Sequence, residues 1–254
     1  MSPLTVRTVV LDIEGTTGSA DHVHHVLFPY ARQRLAGWFA DQRGTARHAE
    51  VLEAVRATAS DPLLDEAGAV AALAAWADSD TKAAPLKTVQ GLIWAQGYAD
   101  GSLTGHVYPD VPPALRRWAG AEIEVYVYSS GSLQAQRDWF RYSDHGDLTG
   151  LLRGHFDLES AGPKRAPDSY RAITRAVGGV PGDILFLSDV AAELDAAAVA
   201  GWRVLGVRRP GDPDGPQVPG HPTVTSLDDV PLTTADRGAG PTPRPDSANE
   251  VSPP

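Results

Sequence analysis

The chain has 254 residues, a formal net charge of −10 and no cysteine. Missing thiols exclude disulfides, thiolate metal sites and cysteine nucleophiles, and the acidic balance argues against nucleic acid or an anionic membrane as the main partner. The length suits one core domain carrying an insertion. No apolar run approaches a membrane span and no secretory signal is visible ahead of the first strand, so the expected location is cytoplasmic.

Residues 6–13 predict a buried strand. Val9-Val10-Leu11 runs into Asp12, a second acid follows at Glu14, and Gly15-Thr16-Thr17 makes a turn. From about residue 20 the period becomes helical, with Leu27, Ala31, Leu35 and Phe39 on one face, then Val51, Leu52 and Val55, then Val70, Leu73, Ala74 and Ala77. Thr88 to Trp94 extends this helical block, and residues 97–105 form a turn-rich exit. Strands are expected over 123–128, 184–187 and 203–207, with helices near 132–141, 167–177 and 190–200. Strand and helix in alternation imply an α/β fold, a doubly wound parallel sheet with right-handed crossovers. The all-helical cap is then an insertion after the first strand, over 20–105, and residues 1–19 and 106–233 make the core. From Thr234 the sequence is Pro, Gly, Ser, Asp and Arg with almost nothing apolar, which predicts a disordered tail over 234–254.

Ligands of an open parallel sheet bind beyond the carboxyl ends of its strands. Those ends carry Asp12, then Ser129-Ser130-Gly131, then Ser188-Asp189, with a Gly162-Pro163-Lys164-Arg165 turn between the last two. Two carboxylates at the end of a buried strand suffer desolvation and mutual repulsion, which a divalent cation or a reactive role makes tolerable. The inventory suits phosphoryl transfer. A carboxylate such as Asp12 can attack phosphorus, hard oxygens such as Asp12 and Asp189 suit Mg²⁺, Ser-Ser-Gly before a helix cradles an anion, and Lys164 adds a point charge. Glu14 can return to the same side as a general acid or base. Taken singly, Asp189 could be a helix cap or turn former, Ser132 an N-cap and Lys164 a solvated loop lysine.

The order of these residues resembles the haloacid dehalogenase superfamily of aspartate-nucleophile phosphatases, and Glu14 in place of a second aspartate is similar to its enolase-phosphatase branch of methionine salvage. Leu11 to Thr17, Val26 to Arg32, Leu86 to Trp94, Gly105 to Val111, Tyr126 to Ser132, Gly162 to Arg165 and Leu185 to Ala197 all look like that branch. The resemblance implies that Asp12 is the nucleophile and, with Asp189, binds Mg²⁺, one ion per subunit, while Glu14 contributes a backbone carbonyl. It also implies that Ser129, Ser130 and Lys164 hold the substrate phosphate and that Lys87 joins them from the cap. The implied substrate is a small phosphorylated diketone, enolised and then dephosphorylated by a chain acting as a monomer. Asp21-His22-Val23-His24-His25 departs from the pattern. Three histidines so close could mark a transition-metal site or a solvated hinge into the cap. Two rivals stand beside this reading: a plain phosphatase of the same superfamily, and a phosphorylated receiver domain, which predicts roughly 120 residues without a long helical insertion.

Overall fold

The computed structural model describes residues 3–234. Its strands are β1 (Leu4–Val6), β2 (Thr8–Leu11), β3 (Glu124–Tyr128), β4 (Gly154–Phe156), β5 (Ile184–Ser188), β6 (Arg203–Val207), β7 (Thr223–Val224) and β8 (Leu232–Thr234). Six of them form one sheet in the order β4-β3-β2-β5-β6-β7, with every neighbouring pair parallel. The first strand of that sheet is thus central, as a doubly wound topology requires. β1 and β8 pair separately, joining the two ends of the described chain.

Alternation along the strands divides the sheet's two faces. Val9, Leu11, Val125, Val127, Leu185 and Leu187 pack with Leu115 and Trp118 of helix α6 (Val111–Gly120) and with Trp139 and Phe140 of α7 (Leu133–Arg141). Val10, Tyr128 and Phe186 point the other way, onto Tyr170 and Ile173 of α8 (Pro167–Val177) and Leu194 and Ala197 of α9 (Ala191–Val199). Helices on both faces explain why β2 reads as an uninterrupted apolar run.

Between β2 and β3 lies the helical block. A single turn, α1 (Ala20–His22), leads into a π-helical turn over Val23–Leu27, then α2 (Phe28–Gln42), α3 (Ala46–Ala59), α4 (Glu66–Asp78) and α5 (Ala84–Ala99). Local sequence sets these boundaries. Thr45 and Asp65 cap α3 and α4 by accepting from the backbone N–H of His48 and Gly68. Pro29 and Pro85 occupy first-turn positions, where no N–H is needed. Leu35, Phe39, Val55, Leu73 and Val89 form a core of their own between these helices.

Two boundaries and three elements differ from those the sequence predicts. The strand expected over 6–13 is confined to Thr8–Leu11, because the carbonyl of Ile13 accepts from the N–H of Thr16, Thr17 and Gly18 and curls the chain immediately after Asp12. β4, β7 and α6 escaped notice. β4 and β7 are too short for a period to show, and α6 opens on Val111-Pro112-Pro113, which reads as a turn. Thr234 belongs to β8, its hydroxyl donating to the carbonyl of Ala121, and does not open the tail. The disorder expected of the remaining tail, 235–254, lies outside the described residues.

The chain returning from the helical block docks on α7. Gly105 donates its N–H to the Tyr142 carbonyl, and a Cβ at Gly105 would stand 2.1 Å from the Trp139 carbonyl oxygen. That neighbour is backbone and cannot swing away. Gly105→Ala is therefore expected to lower unfolding free energy by about 1–3 kcal/mol, measured by urea denaturation; an unchanged midpoint would contradict the packing described.

Candidate active site

The chain leaves β2 toward β3 on one side, while β5 lies on the other, so a crevice opens at the carboxyl ends of these three strands. Asp12 follows β2 and is 4% exposed. Its N–H donates to the Leu187 carbonyl, and its Oδ1 accepts from the N–H of Ile13 at 2.7 Å. Thr17 Oγ1 donates to the Asp12 carbonyl at 2.8 Å, closing the turn on itself.

Lys164 enters from the loop before α8. Its backbone is pinned by three hydroxyls: Tyr128 donates to the Gly162 carbonyl, Ser169 to that of Pro163 and Tyr170 to that of Lys164 itself. The ammonium is only 6% exposed and lies 2.7 Å from both Asp12 Oδ1 and Glu193 Oε2. The reading of Lys164 as a solvated loop lysine is therefore excluded. Burial works against its charge, but Asp12 and Glu193 outweigh burial and hold its pKa above the usual value. Ser188 completes the group, donating toward Asp12 Oδ2 at 3.3 Å and Glu193 Oε2 at 3.1 Å.

Asp189 is placed differently. One of its oxygens, Oδ1, is buried without a hydrogen-bond partner, although buried polar atoms are normally satisfied. Burial, then the charge of Asp12, pushes its pKa from 3.8 up to about 7. Gly15 presses against the other oxygen. At φ +68 it occupies the left-handed region, and a Cβ there would lie 2.3 Å from Asp189 Oδ2, so no other residue fits. Asp189 is not a helix cap; the N-cap of α9 is Val190.

An unpartnered carboxylate beside a second buried one fits a hard divalent cation. Among the described residues no three His, Asp or Glu side chains gather as a metal cluster. Asp12 and Asp189 can therefore supply two ligands, and further oxygens have to come from the backbone or a ligand. The histidines of the 21–25 segment each meet a different partner. His22 Nε2 lies 2.9 Å from the Thr104 carbonyl oxygen with its ring edge-on to Trp139, His25 lies against the Asp21 carbonyl, and His24 meets Phe28 edge-to-face.

Ser129 and Ser130 follow β3, the first buried and the second exposed. Gln136 holds their loop by donating to the carbonyls of Gly131 and Phe156, both at 2.8 Å. Ser132 is the N-cap of α7, as its position suggested. Glu14 faces the crevice. Its side chain reaches solvent, but the protein packed around it and the charge of Asp12 raise its pKa, partly opposed by His24, Lys164 and Lys82. Lys87 is not brought into this group: it stands exposed on α5, and among the described residues its ammonium has no partner. The cap lysine whose charge reaches Glu14 is Lys82. Sequence reasoning assigned no role to Glu193 or Ser188. Glu193 lies one turn into α9, five residues after the strand-ending serine, and its polarity within an Ala-rich helix was the available signal.

A doubly wound sheet with an acid, a hydroxyl loop, a buried lysine and a second acid on its strand ends defines a haloacid dehalogenase-like hydrolase, and the model of that family matches residues 6–201. The chain is 50% identical over 212 residues to Enolase-phosphatase E1 of Streptomyces avermitilis, covering 84% of this chain and 89% of that protein. It is 48% identical over 227 residues to Enolase-phosphatase E1 of Pseudomonas aeruginosa, covering 89% and 99%. Its fold matches the crystal structure of the UTR4 protein from Saccharomyces cerevisiae with a TM-score of 0.75 at 28% identity, over 89% of this chain and all of that one. The chain belongs to the enolase-phosphatase family.

The raised pKa of Asp189 has a consequence for the metal-free protein. Between 3.8 and about 7 the folded state retains a proton that the unfolded chain has released, so stability falls as pH rises through that window. The melting temperature of metal-free protein is expected to drop from about pH 5 to about pH 8, and Mg²⁺ is expected to restore more of it at the higher pH. Thermal unfolding at both pH values checks this. A metal-free melting temperature that climbs over the same interval would contradict it.

Proposed function

We propose that the protein is a Mg²⁺-dependent bifunctional enolase-phosphatase, an acireductone synthase. It converts 2,3-diketo-5-methylthiopentyl-1-phosphate, by enolisation and then dephosphorylation, to 1,2-dihydroxy-3-keto-5-methylthiopentene and phosphate in methionine salvage. The observation that carries this reading is buried Asp12 ion-paired with the ammonium of Lys164, with Asp189, one of whose oxygens is buried without a partner, near enough to feel the charge of Asp12. The half-identical Enolase-phosphatase E1 relatives supply the substrate class.

In this reading Ser129, Ser130 and Lys164 hold the substrate phosphate, and Lys87, exposed on α5 outside that group, would meet the substrate from the cap. An oxygen of Asp12 attacks phosphorus while the bond to the enol oxygen breaks, leaving an aspartyl-phosphate that water then hydrolyses. The Lys164 ammonium stays charged throughout and balances negative charge on the phosphoryl oxygens. Asp12, Asp189 and the backbone carbonyl of Glu14 are the groups that would hold Mg²⁺. When bound, the ion offsets the repulsion between the anionic nucleophile and the phosphate. Glu14 serves the proton transfers. It makes no ion pair with Lys164, and its raised pKa favours the protonated form more than in a free carboxyl, which suits a group that gives and takes a proton. The helical block over 20–105 acts as a cap that excludes water from the enediol chemistry. The enzyme works as a cytoplasmic monomer with one Mg²⁺ per subunit.

Asp12→Asn keeps the size of the side chain and removes the nucleophile. It is expected to fold and to release no phosphate from the diketo phosphate in the presence of Mg²⁺, read by inorganic phosphate assay beside a circular dichroism melt. Retained turnover would remove Asp12 as nucleophile. In wild type an enol absorbance should precede phosphate release; phosphate appearing first would point to a plain phosphatase.

A further inference from the structure

Arg209, just beyond β6, takes no part in the chemistry above, yet it is buried against the loop that carries the nucleophile. Its side chain is 6% exposed. Nε and Nη2 both donate to the backbone carbonyl of Thr16, at 2.9 and 2.5 Å, while Nη1 donates to Asp110 Oδ2 at 2.6 Å. The guanidinium also lies over the Tyr108 ring, 4.2 Å from its centroid. Asp110 is itself fixed, accepting from Ser226 Oγ and from the Leu227 N–H. Tyr108 in turn donates its N–H to the Thr17 carbonyl.

A buried ion pair is weak evidence for added stability, since apolar residues of similar volume usually serve as well, and its best-attested use is to fix a register. Here the register is that of residues 12–17. Arg209 grips the carbonyl of Thr16, Tyr108 that of Thr17, and the Thr17 hydroxyl that of Asp12. Inside this grip lies Gly15, whose backbone abuts the Asp189 carboxylate, and next to it is Glu14. Asp110 and Tyr108 sit on the segment returning from the helical block, so the clamp is anchored outside the loop it holds.

We infer that Arg209, braced by Asp110 and stacked on Tyr108, is a positioning residue for the cation: by fixing the Thr16 carbonyl it holds in place the loop whose Asp12 carboxylate and Glu14 carbonyl would, with Asp189, bind Mg²⁺. This rests on the proposed roles of Asp12, Glu14 and Asp189 as ligands. Phosphate binding, through Ser129, Ser130 and Lys164, lies outside the clamp and does not depend on it. Arg208 is the internal control. It is equally buried, but it bonds Asp212 and the Gln217 carbonyl and never touches the loop.

The test uses the full chain with Arg209→Gln, Arg209→Lys, Asp110→Asn and Arg208→Gln. Mg²⁺ affinity is read by calorimetry, amide exchange over residues 13–18 by mass spectrometry on metal-free protein, and kcat and KM with the diketo phosphate. Arg209→Gln is expected to weaken Mg²⁺ binding and lower kcat by about 10- to 100-fold each, as loss of a group that orients metal ligands does. KM and inhibition by inorganic phosphate should stay near wild type, and exchange over 13–18 should accelerate. Arg209→Lys should recover part of the loss, since it keeps the charge and loses the fork, and Arg208→Gln should match wild type in Mg²⁺ affinity and kcat. A folded Arg209→Gln with wild-type Mg²⁺ affinity and exchange overturns the inference. If that variant does not fold, wild-type values in both Arg209→Lys and Asp110→Asn overturn it instead. Wild type that binds no Mg²⁺ would overturn the site reading itself, a failure distinguishable from that of the clamp.

Discussion

The buried ammonium of Lys164, shared by Asp12 and Glu193, is the interaction on which the site depends. Asp12, Asp189 and Glu193 converge within one crevice, with Glu14 facing it, and the burial that makes them reactive also penalises each negative charge. Lys164 offsets part of that penalty, most directly for Asp12 and Glu193, with which it ion-pairs. Asp189 feels that charge only at a distance: one of its oxygens is buried without a partner and its pKa is about 7.

Everything else in the core serves to hold that charge arrangement still. Three hydroxyls, from Tyr128, Ser169 and Tyr170, fix the backbone from Gly162 to Lys164. Gln136 fixes the serine loop, and the three N–H bonds to the Ile13 carbonyl fold the loop after Asp12 back on itself. All of these are polar contacts to backbone carbonyls, from side chains of other segments in the first two cases and from the turn's own N–H groups in the third. The sheet contributes adjacency: β2 lies between β3 and β5, so Asp12 has the serine loop on one side and Asp189 on the other. A topology of this kind leaves the chemistry to the loops, and the helical block joins the crevice through its charges, with His24 and Lys82 both acting on Glu14.

Much of this was legible in the sequence because strand ends are conspicuous where an apolar run stops on an acid. Asp12 marks such a stop, Ser129 and Ser188-Asp189 end their strands on polar residues in the same way, and the helical period of residues 27–77 announced the inserted block. What stayed hidden lacked a periodic or terminal signal. Glu193 sits inside a helix, and its partnership with Lys164 spans 29 positions of sequence that only the fold brings together. Arg209 reads as a polar residue in a turn, and its burial depends on Asp110 and Thr16, which are far away in the chain. Lys87 was named through resemblance alone, and its exposed place on α5 is something helical spacing could have indicated, since Leu86, Val89 and Gln90 take the buried face. Short edge strands such as β4 are similarly invisible, being too brief for a period of two to emerge.

Covalent capture of phosphate on Asp12 tests the central claim most directly. Wild-type enzyme mixed with Mg²⁺ and the diketo phosphate, quenched in acid during the first turnover and digested, should yield a phosphorylated peptide containing Asp12 that appears and decays within one catalytic cycle. Complete turnover with every recovered Asp12 peptide unmodified, or with phosphate on a different residue, would contradict the account.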